Sequence, residues 1–285
     1  MNINFERKIL AFQNWIENHI FEQKNILWFR RCCYTLLLIK MLFIWTDLNI
    51  FYKHVIKQHT SLIWPHKWML LPIFNNYYHY YWLMICLIVL YAIISKGSYF
   101  LSAIIFIISS NYFLLIHGAT NNGDKIMNVF IFMLIFVKCN AKPRSLAQMI
   151  NNSALIILQL HVCLLYLYNV YGKLIQPTWR DGTYLENVWS LPYHVNNTFL
   201  PNFISNPSSY FLTAWSVLLF EFSFPVLIWT KTFNKPLLII GILFHLSIGL
   251  TLSLPDFGLI MIISYILFYK FKENQIAGDV VTLDS

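Results

Sequence analysis

Charge is what this sequence has least of. Only 11% of its 285 residues are Asp, Glu, Lys or Arg, against roughly 25% in an ordinary soluble domain. Cysteine is sparse as well: Cys32, Cys33, Cys86, Cys139 and Cys163, with no CxxC pair. That argues against a disulfide framework and against thiol-disulfide exchange, and leaves the thiols as small apolar packers. No metal-ligand spacing, nucleophile elbow, phosphate loop or dinucleotide fingerprint occurs, so no metal site is expected. Residues 1–28 lack a continuous apolar core and a small-residue cleavage site, so a removable signal peptide is not expected and the first span would target the chain. There is no internal repeat, low-complexity tract or soluble domain.

What is present is apolar: 58% of the residues are hydrophobic and 18% aromatic. Apolar runs recur from Cys32 to Tyr269 with short polar gaps, and a helix crosses the hydrocarbon core with about 20 such residues. The expectation is an all-α polytopic membrane helix bundle of about eight spans. They are placed near 32–51, 80–95, 98–117, 124–138, 153–174, 209–230, 236–254 and 257–270. Residues 1–31 are read as a cytoplasmic or interfacial amphipathic helix, because Phe5, Ile9, Phe12, Ile16 and Ile20 recur every three or four residues. Residues 32–270 form the bundle and 271–285 a cytoplasmic tail.

The net charge of +8 would suggest nucleic acid in a soluble protein. Here the bases sit at helix ends, where they orient the chain in a lipid bilayer. Lys and Arg outnumber those in the opposite gaps by about two to one on the side of the N-terminus, so a multi-pass cell-membrane protein with both termini cytoplasmic is expected. The polar stretches 59–82, 117–125, 173–208 and 254–258 would then face outward.

Charges inside a membrane ask for a partner or a task. Glu221 in "AWSVLLFEFSFPVLIW" and His245 in "GILFHLSIGL" fall at matching depth in adjacent spans. They are expected to share a hydrogen bond, as a proton relay or as a structural clasp. Lys40 can snorkel, and His161 can satisfy itself on a carbonyl. The stretch "YGKLIQPTWRDG" (171–182) sets Lys173 at a membrane exit, with Gly172 beside it for close backbone approach. A partly desolvated lysine there can serve as a base, or it can simply anchor the helix end.

Four stretches, "NNGDKIMNVFIFMLIF" (121–136), "YLYNVYGKLIQPTWRDGTYLENV" (166–188), "LLFEFSFPVLIW" (218–229) and "FHLSIGLTLSLPDFGLIMIISYILF" (244–268), resemble the HTTM membrane domain. That domain is shared by vitamin K-dependent gamma-carboxylases and by bacterial SdpB-type proteins that mature a secreted antimicrobial peptide. The resemblance implies that Lys173, in its Gly-Lys-Leu step, is the candidate base, with Asp124 orienting it or balancing its charge. Asn122, Gly123 and Asp124 look like the Gly-Asp form of the SdpB-type branch, where carboxylase-like members carry Asn-His-x-Tyr. A counterpart of the carboxylases' large lumenal domain is not expected either. The implied function is maturation or export of a secreted peptide through an outward-facing polar pocket, with a bacteriocin as one such substrate. Lys173, Asp124, Glu221 and His245 would supply chemistry, and Trp179, Arg180, Asp181 and Asp256 would meet substrate. Partners are the lipid bilayer, the secreted peptide and a further soluble or membrane protein, and nucleic acid is not expected. Two alternatives stay open: a carboxylase-like or oxidoreductase enzyme using a lipid quinone as cofactor, and a non-catalytic scaffold or immunity protein that binds the peptide.

Overall fold

A computed structural model describes residues 7, 21–51, 78–116, 119–139, 141, 142, 145–191 and 206–269. Apart from residue 7, residues 1–20 of the proposed N-terminal surface helix lie outside these residues, as do residues 59–77 of the first outer stretch, 192–205 of the later one and the tail. Every regular element among the described residues is helical. In chain order they are α1 (Gln23–Phe43), α2 (Tyr78–Ile94), α3 (Tyr99–Leu115), α4 (Asn122–Met133), α5 (Leu146–Leu174), α6 (Pro177–Asp181), α7 (Thr183–Trp189), α8 (Pro207–Leu227), α9 (Lys231–Thr251) and α10 (Pro255–Ser264).

The starts of these helices are written in the sequence as caps. Ser98, Ser145 and Thr230 each accept a backbone N–H of the first turn of α3, α5 and α9, satisfying donors that a helix start leaves free. Asn121 with Asp124, and Asn206 with Ser209, close reciprocal capping boxes on α4 and α8. Pro207 and Pro255 open α8 and α10, where a missing N–H costs nothing.

Three helices, α5, α8 and α9, are long and apolar enough to cross a membrane. A fourth is reached if α1 and the segment Trp45–Phe51, bent from it by 46°, count as one. The helices α2 and α3, and α10 with its continuation to Leu267, are apolar but shorter. Length and composition thus carry three to four spans rather than eight. The first helix starts at Gln23, inside the stretch assigned to the surface helix, and α5 starts at Leu146 rather than 153. In both cases a polar first segment is drawn into helix by the apolar run on its C-terminal side. The expected outer loop after Lys173 contains two short helices, α6 and α7, separated by Gly182.

Helix α1 packs on α2, α4 and α10, α3 packs on α4, and α5 lies along α8. The pair α9 and α10 folds back on itself, while α6 and α7 lean on α8. Phe29, Tyr34, Leu37, Phe130, Leu155, Leu158 and Phe224 are buried in the resulting core. Outward faces stay apolar, as with Ile239, Ile240, Leu243, Leu246 and Leu250 of α9. A second small cluster joins Trp179 and Leu185 to Ala214 of α8.

The last described turn shows how polar groups are handled in apolar surroundings. A helix end leaves carbonyls without partners. The carbonyls of Leu267, Phe268 and Tyr269 accept from Gln159 Nε2 at 2.7 Å, Asn234 Nδ2 at 3.2 Å and Asn25 Nδ2 at 2.7 Å. Side chains of α5, α9 and α1 therefore converge on this turn.

Gly182 holds the left-handed conformation, with φ of 87°. A Cβ there would lie 2.6 Å from the backbone nitrogen of Phe211. Gly172, by contrast, has nothing within 4 Å of a would-be Cβ, so the close approach expected beside Lys173 is not made. Gly182→Ala should therefore lower the thermal unfolding midpoint of the detergent-solubilised protein, since the conformation alone costs about 1–2 kcal/mol. Gly172→Ala should leave that midpoint unchanged or slightly raised.

Candidate functional site

Among the described residues, two clusters of paired charge lie within the helices. The first is built on α5, whose last turn carries Lys173, a position where a cation meets the helix C-terminus favourably. Ala214, Leu218, Glu221 and Phe224 recur every three or four residues on the buried face of α8, which places a carboxylate in an otherwise apolar stripe. Lys173 Nζ donates to Glu221 Oε1 at 2.6 Å. Helix α6 then turns back so that the Trp179 ring lies under the same ammonium, 4.6 Å from it, a cation–π contact. Trp179 is itself fixed by stacking on Tyr184, with ring centroids 4.5 Å apart.

Beside this pair lies a hydrogen-bonded group of rings. Tyr166 precedes Lys173 by seven residues on α5, hence on the same face. Its hydroxyl is 2.7 Å from His245 Nε2 and 2.5 Å from the Tyr265 hydroxyl. Glu221 and His245 are buried, and Glu221 Oε2 and His245 Nδ1 have no hydrogen-bond partner. The expected Glu221–His245 hydrogen bond is thus replaced by two separate ones. Both replacement partners come from α5, which packs along α8 and offers Lys173 and Tyr166 to the two residues.

The second cluster joins three helices. Lys40, near the end of α1, forms an ion pair with Asp124 Oδ1 at 2.5 Å, without a hydrogen bond to that oxygen, and donates to Asp256 Oδ2. Asn121 ties the acids together: its Nδ2 donates to Asp256 Oδ2 at 2.6 Å and its backbone N–H to Asp124 Oδ2 at 2.9 Å. Gly123 makes the approach possible, because a Cβ there would lie 2.8 Å from the Phe257 Cα. Asp124 therefore serves Lys40 instead of the expected Lys173. Nor does Lys40 snorkel; it is held between two carboxylates. The signal that could have found this is Lys40 on the buried Leu36, Leu37 and Met41 side of α1, with an aspartate in the first turn of both α4 and α10.

Phe257 connects the clusters, coming next after Asp256 in sequence and packing its ring 5.8 Å from that of His245. Arg180 and Asp181 lie at the exposed end of α6. Trp215 Nε1 donates to the Arg180 carbonyl at 3.1 Å. Asp181 Oδ1 accepts from Thr183 Oγ1 at 2.7 Å and from Thr183 N–H at 2.9 Å, and these bonds hold its carboxyl below the usual carboxylate range. Asp181 thus shapes the turn into α7. His161 packs edge-on against Phe130. No group of three or more His, Cys, Asp or Glu among the described residues is placed to hold a metal.

Chemically, the first cluster offers an ammonium and a carboxylate in contact, with one carboxylate oxygen and one imidazole nitrogen unengaged. Compared with protein-family models, with curated proteins and with solved structures, the chain finds no match in any of the three.

Removing one partner from a buried ion cluster strands the other charge, at about 3–5 kcal/mol. Lys40→Met should lower the unfolding midpoint in detergent by that order. Adding Asp256→Asn to Lys40→Met should recover part of the loss, because one of the two facing carboxylates is gone.

Proposed function

We propose that this is a membrane protein of the SdpB type within the HTTM resemblance, acting in maturation or export of a secreted antimicrobial peptide. In this reading eight segments cross the bilayer: α1 with its bent continuation, α2, α3, α4, α5, α8, α9 and α10. Both termini are cytoplasmic, and the Lys40 and Lys173 clusters lie toward the outer face. The arrangement of helix starts supports it, since Lys40 ends α1 where α4 and α10 begin. In such an alternating path those three ends share one side.

The observation that carries the functional reading is the Lys173–Glu221 contact with Trp179 beneath it and an unengaged Glu221 oxygen beside it. General acid–base work asks for a titratable group close to a second one that can receive or return its proton. Lys173 is the acid–base group of the site, and Glu221 the partner that holds its proton between steps. Trp179 covers the ammonium and faces the substrate. In the Lys40 cluster Asp124 faces an ion-pair partner with one oxygen and a hydrogen-bond donor with the other, and the cluster serves as the clasp that holds α4 and α10 in place.

The test compares intact masses of peptides secreted by cells with the wild-type gene, a deletion and Lys173→Ala. A mature peptide that disappears in both the deletion and Lys173→Ala, with the variant still present in the membrane, is the expected result. The mass of the precursor that accumulates identifies the missing step. Secreted peptides unchanged by the deletion overturn the peptide reading, and quinone in a lipid extract of the purified protein would then favour a quinone enzyme. A deletion phenotype that Lys173→Ala fails to reproduce makes the protein a peptide-binding scaffold.

A further inference from the structure

The charges at the opposite end of α1 are in a different condition. Arg30 is 1% exposed, and its Nε, Nη1 and Nη2 all lack a hydrogen-bond partner. A guanidinium stays protonated in proteins, so this is a full charge that no described acidic side chain neutralises. Tyr34 offers a partial compensation: its hydroxyl stands beside the guanidinium without completing a well-formed hydrogen bond, and its ring centroid is 5.3 Å away. An unpaired buried charge costs several kcal/mol, far more than that contact returns.

The place where the guanidinium lies is specific. It contacts Gly97 on the face where any other residue would carry its Cβ. Gly97 has φ of 83° and immediately precedes Ser98, the cap of α3. Arg30 is therefore directed at the N-terminus of a helix of 17 residues, where free N–H groups and the helix dipole already favour an anion. Two further cations border the same turn. Arg31 Nε donates to the Ile93 carbonyl at 3.2 Å, and Lys138 Nζ stands 5.9 Å from the Tyr99 ring centroid. The ion pairs among the described residues are confined to the Lys40 and Lys173 clusters, so no described acid balances any of these cations.

We propose that the α2–α3 turn binds a phosphate group, with Arg30 as the residue that selects it and Lys138 and the α3 N-terminus completing the site. Phosphate fits because a guanidinium fork and helix N–H groups both match its oxygens. It can come from an anionic lipid headgroup, as in basic pockets between membrane helices, or from free phosphate. The lipid source rests on the proposed bilayer arrangement, whereas the phosphate chemistry does not depend on the peptide function.

The experiment uses full-length protein in a neutral detergent, with the unfolding midpoint and native mass spectra as readouts. The probes are phosphatidylglycerol mixed micelles against phosphatidylcholine ones, and inorganic phosphate against chloride at equal ionic strength. Wild type should be stabilised by phosphatidylglycerol and retain at least one copy of it in the gas phase, or be stabilised by inorganic phosphate. The first result assigns a headgroup and the second a free anion. Arg30→Gln and Lys138→Gln should each weaken the effective probe by about tenfold, the loss expected for one hydrogen bond to a charged group. Arg30→Lys should restore part of it. If Arg30→Gln does not fold, Lys138→Gln carries the test. Neither probe stabilising wild type, or full probe binding by the glutamine variants, would overturn the proposal.

Discussion

A carboxylate on the apolar face of α8 is the constraint on which much of this structure depends. Glu221 is 4% exposed, and a lone carboxylate in such surroundings is one of the costliest things a fold can contain. Lys173 answers it, and the answer fixes geometry over a distance. Helix α5 must run alongside α8 and end at Lys173, and the chain must then reverse through α6 to bring Trp179 under the ammonium. Gly182 permits the next reversal and brings α7 against the N-terminal half of α8. The Tyr166, His245 and Tyr265 hydrogen bonds extend the same polar seam into α9 and the turn that continues α10.

The Lys40 cluster repeats the logic with different parts. There the carboxylates sit in the first turns of α4 and α10, where a negative charge is welcome at a helix start, and one lysine from α1 joins them. The two clusters differ in what remains open. Asp124 Oδ1 lacks a hydrogen bond but is ion-paired with Lys40, and Oδ2 accepts from the Asn121 backbone, whereas Glu221 Oε2 and His245 Nδ1 have neither kind of partner. In the function we propose, that contrast assigns the structural role to the Lys40 group and the chemical role to the Lys173 group.

Much of the secondary structure could be read from the sequence because its signals are local. Apolar runs gave the helices, and Ser98, Ser145, Asn206 and Thr230 mark their starts as caps. The number of spans is harder to read, since α4 and α10 are short and α1 bends near Trp45. Candidate residues such as Lys173, Glu221 and His245 stood out because charge and imidazole are rare in apolar runs. Their pairing did not, because pairing is set by which helices pack together. Adjacent helices joined by a short hairpin suggested Glu221 with His245, yet the closer packing of α5 on α8 gave Glu221 to Lys173. Lys40 reads as a snorkelling lysine for the same reason: its two aspartate partners come from distant segments that only packing brings to it.

The claim that Glu221 and Lys173 depend on each other is tested most directly by a double-mutant cycle. Lys173→Met, Glu221→Gln and the double variant would be compared for unfolding free energy in the same detergent. The account predicts that the first change is the more damaging, since it strands a buried carboxylate. The double variant should be more stable than the sum of the two losses implies, by about 2 kcal/mol or more, as neighbours in one charge pair require. Losses that simply add would contradict the account, because the two residues would then be stabilised independently and the ion pair would not be what places α5 against α8.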